Sequence, residues 1–260
     1  MKSLISFFGL CLMPTAVPAQ SPDHIAMGRA AFDGREPEAA LIHFQAALAQ
    51  DSTGYEAAWR ASQAAIDVGK QTPDSVKSVY RDSMYALAER YARIAVGANP
   101  NDADGHFILS VALGRSSLTK GKRERVRRAT EIRNEALRAI ELRPTHDGAY
   151  HVLGRWNAEV MRLSGLTRFF AKSFLGGAVF NQASWENAVE FMNKAVALDP
   201  TIIQHRLDLA EIYIDRKQYR AARRQLEAIA PLPLKDVLDP RYKEKALRLL
   251  KQIEGKTDDR

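Results

Sequence analysis

The segment Ala195-Val-Ala-Leu-Asp-Pro200 decides the fold, because two further segments of the chain follow the same plan. Ala95-Val-Gly-Ala-Asn-Pro100 and Ala139-Ile-Glu-Leu-Arg-Pro144 also place a proline five residues after an alanine, at the end of a helix-forming stretch. Proline cannot continue a helix interior, and it biases the residue before it away from helical geometry. Each proline therefore marks the turn from one helical unit to the next.

The residues around these prolines fit the tetratricopeptide pattern of paired antiparallel helices. In that pattern small residues allow two helices to cross closely, and large residues fill the space opposite them. The matching positions fall in the first, fourth and fifth units: Gly28, Ala40, Phe44, Ala47; Tyr150, Leu153, Gly154, Ala188, Met192, Ala195; and Leu209, Ala210, Tyr213, Ala222, Leu226, Ile229. We predict an all-α, tetratricopeptide-like helical-hairpin solenoid of about five repeats.

The spacing of the prolines predicts long insertions in the middle repeats. Pro100 and Pro144 are 44 residues apart, and Pro144 and Pro200 are 56 apart, whereas a plain repeat has about 34 residues. We place the extra segments at 70–82 and 116–128, which are polar, and at 162–184, which is apolar. The solenoid should cover 20–252 and end in a capping helix at 239–252, followed by a polar tail at 253–260.

The first nineteen residues have the pattern of a secretory signal peptide. Lys2 supplies a positive charge, Leu4 to Met13 form an apolar stretch of ten residues, and Val17-Pro18-Ala19 offers a cleavage site. The alternative is a membrane anchor, but the apolar stretch is shorter than the roughly 18–20 residues that a span needs. We expect cleavage after Ala19 and a periplasmic or secreted protein.

Composition excludes several classes of protein. The 260 residues carry 38 Lys+Arg against 31 Asp+Glu, a net charge of +7, and 46% are hydrophobic, so a disordered or fibrous chain is excluded. Cys11 is the only cysteine, which excludes disulfide scaffolds and multi-cysteine metal sites. His146 and His151 are five residues apart and do not form a zinc-helix pair. We expect no metal, no cofactor and no enzymatic activity.

Residues 150–176 carry a family resemblance. Leu153-Gly-Arg-Trp156, Glu159-Val160, Leu163-Ser164, Arg168 and Gly176 resemble the signature of the regulator of microtubule dynamics family. The chain departs from it at Gly165, where the family has an aromatic residue, and at Gly177-Ala178, where Pro-Pro is common. Some members resemble lipid-binding tethers. The resemblance implies the fold and a possible ligand groove, and we do not extend the cytoskeletal role to this chain.

One polar stripe predicts where a partner binds. His151, Arg155 and Glu159 follow one another at four-residue intervals and share a face of one helix. The corresponding positions of tetratricopeptide stacks line the concave groove that receives an extended peptide. The alternative is a simple intrahelical ion pair between Arg155 and Glu159.

Two further segments suggest lipid or an anionic partner. An amphipathic helix at 162–180 carries apolar side chains that pack as core, wall a cavity for an acyl chain, or present a membrane-contacting face; they include Leu166, Phe169, Phe170 and Phe174. A run of cations could attract anionic lipid or an acidic partner, or could be a solvated face; its members are Lys120, Lys122, Arg123 and Arg125. It lacks the aromatic residues that nucleic-acid surfaces interleave with cations, which argues against nucleic acid.

These patterns support two functional hypotheses. The first is an exported, non-catalytic scaffold that binds a protein or peptide in its concave groove. The alternative is a lipid-binding or lipid-transfer protein that holds an acyl chain against 162–180.

Overall fold

The computed structural model describes residues 22–174 and 177–258, and within these ranges it contains helices and no β-strand. The predicted signal peptide lies outside the described residues. The α-helices are α1 (His24–Asp33), α2 (Pro37–Gln50), α3 (Tyr55–Lys70), α4 (Val79–Ala98), α5 (Ala103–Ser116), α6 (Lys122–Leu142), α7 (Asp147–Arg162), α8 (Gly165–Phe174), α9 (Trp185–Leu198), α10 (Ile203–Asp215), α11 (Tyr219–Glu227) and α12 (Asp239–Gln252). Short 3₁₀ turns lie at Ser117–Thr119 and Ala178–Gln182.

The helices form antiparallel hairpins stacked in series, so the predicted fold class is confirmed. The pairs are α1 with α2, α3 with α4, α5 with α6, α7 with α9, and α10 with α11. The first helices of successive pairs also contact one another, from α1 through α3, α5 and α7 to α10. We call the surface of this row of first helices the inner face.

The junctions between hairpins share one geometry. The residues that follow α4, α6 and α9 have φ of −143°, −141° and −134°, and each donates its N–H to the carbonyl of the marked alanine four residues earlier. The proline then follows, in agreement with its preference for an extended residue before it. Asn99 and Asp199 also accept a hydrogen bond from the backbone two residues on, at 3.2 and 2.9 Å, and so stabilise the turn.

Small residues lie where the helices of a pair approach each other. A Cβ added to Gly154 on α7 would be 3.1 Å from the backbone nitrogen of Met192 on α9. In the second pair Ser62 takes the corresponding role, and its hydroxyl donates to the carbonyl of Ala88 at 2.8 Å. The close approach explains why the repeat pattern demands Gly, Ala or Ser at these points.

The extra length of the middle repeats is distributed differently from the prediction. Only 71–78 and 117–121 separate the helices of the second and third pairs, since residues 79–82 and 122–128 already belong to α4 and α6. These two helices have 20 and 21 residues, against 14 in α2 and in α9. Proline and glycine are absent from 122–142, so the helix that begins there continues unbroken. The fourth pair does carry a true insertion, which contains α8.

The last helix packs against the fifth pair. Ala246 and Ile253 are buried against α10 and α11, with Leu249 and Leu250 partly buried beside them. Such a helix shields the apolar end of a stack. None of the described helices combines the length and the apolarity needed to cross a bilayer.

Candidate functional site

The predicted groove residues lie on α7, where it faces α10. His151 is buried and donates from Nε2 to Oδ2 of Asp208 at 2.8 Å. Arg155 also reaches Asp208, at 3.2 Å, and its side chain is 39% exposed. Glu159 is 55% exposed. The structure therefore keeps the three residues on one face, but it uses His151 inside the repeat junction and leaves Arg155 and Glu159 accessible.

The charges of this junction form a ladder between the two helices. Glu159 lies 3.7 Å from Arg155 and 2.7 Å from Arg162. Arg162 continues to Asp215 on α10 at 2.7 Å. The predicted alternative, an intrahelical pair between Arg155 and Glu159, is thus present as one step of a longer network. This network fixes the side chains of Arg155 and Glu159 on the inner face, so a partner that binds them loses little further side-chain entropy.

Burial and charge set the ionisation of the junction. Burial alone would raise the pKa of Asp208, but the Arg155 guanidinium and the hydrogen bond from His151 outweigh it and hold that pKa well below its usual range. Burial lowers the pKa of His151 to about 4, although Asp208 opposes the shift. At neutral pH the junction therefore contains a neutral histidine and a carboxylate paired with Arg155.

A second histidine completes the junction, and the sequence reasoning missed it. His205 on α10 donates from Nε2 to Oδ2 of Asp147 on α7 at 2.8 Å, and its ring centroid lies 4.8 Å from that of His151. The two His–Asp pairs cross the junction in opposite directions. A stacked repeat places residues 147 and 205 together, but the spacing along one helix gives no signal for the pairing.

The inner face also reaches the carboxyl-terminal helix. Arg241 at the start of α12 donates to the carbonyl oxygen of Gln71, at the end of α3, over 2.6 Å. Lys245 forms an ion pair with Glu211 on α10. Because α12 follows α10 in the row and still touches α3, the row of first helices curves toward this side, and the inner face is concave.

The predicted cationic patch lies at the start of α6. Lys120, Lys122, Arg123 and Arg125 are exposed, and within residues 22–174 and 177–258 none of them has a carboxylate within 4 Å. The neighbouring Glu124 is engaged by Arg127 and Arg128 at 2.6 and 2.8 Å, and these hydrogen bonds lower its pKa to about 2. The patch therefore presents net positive charge to solvent.

The predicted apolar wall is described only in part. Phe169 is 58% exposed, and the side chains of Leu166, Phe170 and Phe174 lie outside the described residues. Ala171 on α8 is buried in a cluster with Val126, Trp156, Val160 and Phe180. One side of α8 therefore packs on α6 and α7. The predictions for the groove, the wall and the patch as binding surfaces stay predictions.

No cluster of three or more potential metal ligands occurs in the described part of the chain. Among other histidines, His106 on α5 contacts Glu135 on α6 at 2.6 Å, within the third pair, and His146 before α7 lies 3.3 Å from Asp104 on α5, between the third and fourth pairs.

Comparison with known proteins decides the family. The family model described as regulator of microtubule dynamics protein 1-3 matches residues 25–254. This chain belongs to that family. Regulator of microtubule dynamics protein 1 of Bos taurus is 23% identical over 208 residues, which are 80% of this chain and 64% of the relative. Protein 3 of Rattus norvegicus is 25% identical over 177 residues, which are 67% of this chain and 36% of the relative. The chain thus spans less than two thirds of the length of these relatives.

Solved structures agree with the fold of this family member. A thermophilic tetratricopeptide-repeat protein of Thermus thermophilus superposes with a TM-score of 0.62 at 19% identity, covering 86% of this chain and 97% of that one. The pilF protein of Pseudomonas aeruginosa gives 0.51 at 14% identity, covering 90% and 91%. At these identities the likeness shows a helical-repeat scaffold and no more.

The residues that resemble the family signature have structural roles in this member. Trp156 is buried and donates its indole N–H to the carbonyl of Ala129 on α6 at 2.8 Å. Gly154 allows the close contact with α9. The signature therefore holds the third and fourth hairpins together and fixes the base from which α8 departs.

Proposed function

We propose that this protein is an exported, non-catalytic scaffold whose inner face binds a protein or peptide partner. The single observation that carries the proposal is the Arg155–Glu159 pair, which is accessible on a concave surface and held in place by Asp208 and Arg162. A solenoid leaves such a surface free because each repeat contacts only its neighbours. The signal-like segment 1–19 supports export.

The engagement of the inner-face charges supports a scaffold over an acid–base enzyme. His151, Asp208 and Arg162 all make contacts between helices, so they mainly stabilise the junction of α7 with α10. A catalytic base needs a free position near a reacting group.

A photo-crosslinking amino acid at position 159 tests the proposal in the organism's own extract. We expect a crosslinked partner whose yield falls in an Arg155→Gln variant, because the fixed cation is lost. The matched control places the same amino acid at Lys194, which is exposed on α9 and away from the inner face. Equal crosslinking from both positions would contradict groove binding. Circular dichroism verifies that Arg155→Gln is folded.

A second candidate partner is an anionic lipid surface, and the placement of the three interhelical segments favours it. The described residues of three segments, 71–78, 117–121 and 163–174 with 177–184, lie between a first helix and a second helix, so they share one edge of the solenoid. Exposed apolar side chains occur in these segments and in the first turn of α4, and the cationic patch begins in the second segment; the apolar side chains are Val76, Val79, Tyr80, Leu118 and Phe169. Apolar side chains next to cations are the composition of membrane-contacting surfaces.

Vesicle co-sedimentation tests this candidate. We expect binding to vesicles of phosphatidylserine and phosphatidylcholine but not of phosphatidylcholine alone, with a loss of binding in Arg123→Glu/Arg125→Glu. Lys194→Glu makes the same kind of charge change on another helix and should bind as the wild type does. Equal loss in both variants would mean that net charge alone is responsible. Native mass spectrometry of the same preparation checks for a bound acyl lipid.

A further inference from the structure

The turn between α3 and α4 displays three large apolar side chains to solvent. Val76, Val79 and Tyr80 are 49%, 83% and 58% exposed. Among the described side chains, Val79 has the largest exposed fraction of any large apolar residue. A single exposed apolar residue is ordinary, but three in one turn require an explanation. We call these three residues the apolar tip.

A buried arginine fixes the turn that carries the tip. Nη1 of Arg81 donates to the carbonyl oxygens of Pro73 and Val76 at 2.9 and 2.6 Å. Its Nε and Nη2 donate to Asp82 at 3.0 and 2.8 Å. Ser78 caps α4 by accepting from the backbone N–H of Arg81 at 3.1 Å. The tip therefore projects from a hydrogen-bonded turn rather than from a frayed helix end, and a partner that contacts it loses little conformational entropy.

The ion pairs between α4 and α6 place the tip level with the start of the cationic patch. Glu89 pairs with Arg128 at 2.7 Å, and Arg93 pairs with Glu131 at 2.9 Å. Residues that are 39 and 38 positions apart thus lie side by side, so the two second helices run parallel. The same register places the tip level with Leu118, which is also exposed.

The charges around the tip are mostly of one sign. The acids of 71–82 and 117–124 are Asp74, Asp82 and Glu124, and each of them is paired with an arginine. The partner of Asp74 is Arg115 at the end of α5, at 3.2 Å, so this pair also joins the two turns directly. The lysines that stay exposed on this edge are Lys77, Lys120 and Lys122.

We propose that the apolar tip inserts into the interface of an anionic bilayer while the lysines of the same edge bind lipid head groups. Tyrosine and aliphatic side chains partition below the head groups, and cations beside them attract anionic lipid. The tip projects from a turn and forms no groove, which fits a bilayer better than a protein partner. The inference rests on the lipid candidate of the proposed function, and it adds which residues enter the membrane and which edge faces it.

Site-specific fluorescence in the full chain tests the proposal. Cys11 is the only cysteine, so in a Cys11→Ala background Val79→Cys carries a single nitrobenzoxadiazole label at the tip. Vesicles of phosphatidylserine and phosphatidylcholine should increase its emission and shift it to shorter wavelength, and doxyl-labelled acyl chains should quench it. Leu247→Cys is the matched control, because Leu247 is 64% exposed on α12 and outside this edge. A label there should not respond.

Vesicle affinity provides the second readout. Val79→Asp/Tyr80→Asp should bind the same vesicles about tenfold more weakly than the wild type, because apolar insertion is lost. Leu247→Asp should bind as the wild type does, and circular dichroism verifies that both variants are folded.

The outcomes separate the tip from the lipid candidate. Vesicle binding without a response at position 79, an equal response at 79 and 247, or full affinity in Val79→Asp/Tyr80→Asp overturns the insertion of the tip and leaves binding through the cationic patch in place. The absence of any binding to phosphatidylserine vesicles overturns the lipid candidate itself, and the tip proposal with it.

Discussion

The apolar cluster of the first three pairs and the junction of α7 with α10 are held together by different chemistry. In the core cluster of the first three pairs, eleven of the twenty buried residues are alanine, so the helices approach closely along smooth surfaces. At the junction of α7 and α10 the buried residues include His151, His205 and Asp208. Alanine packing needs no particular partner, whereas a buried charge must be matched. The difference teaches that the carboxyl-terminal junction depends on a few specific residues, and the predictions below test that dependence.

The largest effect is expected from Asp208→Ala. The change leaves the buried His151 and the half-exposed Arg155 without their shared acceptor, and the loss of each hydrogen bond to a charged group costs about 1.5–3 kcal/mol of unfolding free energy. Ser62→Ala in the amino-terminal half removes one buried hydrogen bond and should cost about 1 kcal/mol. Urea denaturation followed by circular dichroism measures both. Equal losses would remove the contrast between the apolar cluster and the junction.

A smaller effect is expected from Gly154→Ala. The added Cβ would be 3.1 Å from a backbone nitrogen of α9, which cannot move without shifting the helix. Overpacking of this kind destabilises by about 1–3 kcal/mol. Gly114→Ala on α5 is the control, because nothing lies within 4 Å of its Cβ. It should stabilise by about 0.5–1 kcal/mol through helix propensity. Thermal unfolding distinguishes the two signs.

Two buried groups, His151 in the junction of α7 with α10 and Asp67 in the amino-terminal pairs, should respond to pH in opposite directions. Burial lowers the pKa of His151 to about 4, so the unfolded chain binds the proton first and stability falls as pH decreases from 6.5. Burial raises the pKa of Asp67 on α3 to about 6, against the opposing charge of Lys70. The folded state then holds this proton more strongly, and stability falls as pH rises from 4 toward 6.

The two pH effects should nearly cancel in the wild type between pH 4.5 and 6. In Asp67→Asn only the histidine effect should remain, so the free energy of unfolding should rise by at most about 1.4 kcal/mol for each unit by which the pH increases. His151→Gln should expose the opposite slope. Urea unfolding at several pH values measures both, and parallel slopes in the two variants would contradict the assignment.

The smallest effect on the unfolding free energy is expected from a charge change in the first turn of α6. Lys122, Arg123 and Arg125 lie near the positive end of the helix dipole, where cations are unfavourable. Lys122→Glu should therefore raise the unfolding free energy by about 0.3–1 kcal/mol. Lys194→Glu on α9, away from a helix start, should change it less. A loss of stability in Lys122→Glu would mean that the patch is a structural element rather than an exposed surface.

Much of the fold could be predicted from the sequence because its signals are local. The segments that end at Pro100, Pro144 and Pro200 specify the same helix end three times, and the structure repeats that geometry. The extra length at 122–128 could not be assigned in the same way. Its residues are charged and fit either a loop or a solvated helix. They adopt the helix, because they are continuous with the rest of α6.

The candidate site could be predicted only along single helices. His151, Arg155 and Glu159 share a face because of the helical period. Their partner Asp208, the link from Arg162 to Asp215, and the second pair of His205 with Asp147 depend on how two hairpins stack. The contact of Arg241 with Gln71 depends on the curvature accumulated over several repeats. A curvature of that kind results from many small packing angles, so no single segment of the sequence predicts it.

The link between Arg241 and Gln71 has a consequence for how the molecule unfolds. An open array of repeats frays from its ends, because a terminal unit has a neighbour on one side only. Here the last helix is tied to the second repeat, so the chain from α3 to α12 forms a closed ring of contacts. The tie adds at most about 0.5–1.5 kcal/mol to the cost of opening the stack between α3 and α12, and the first hairpin lies outside it.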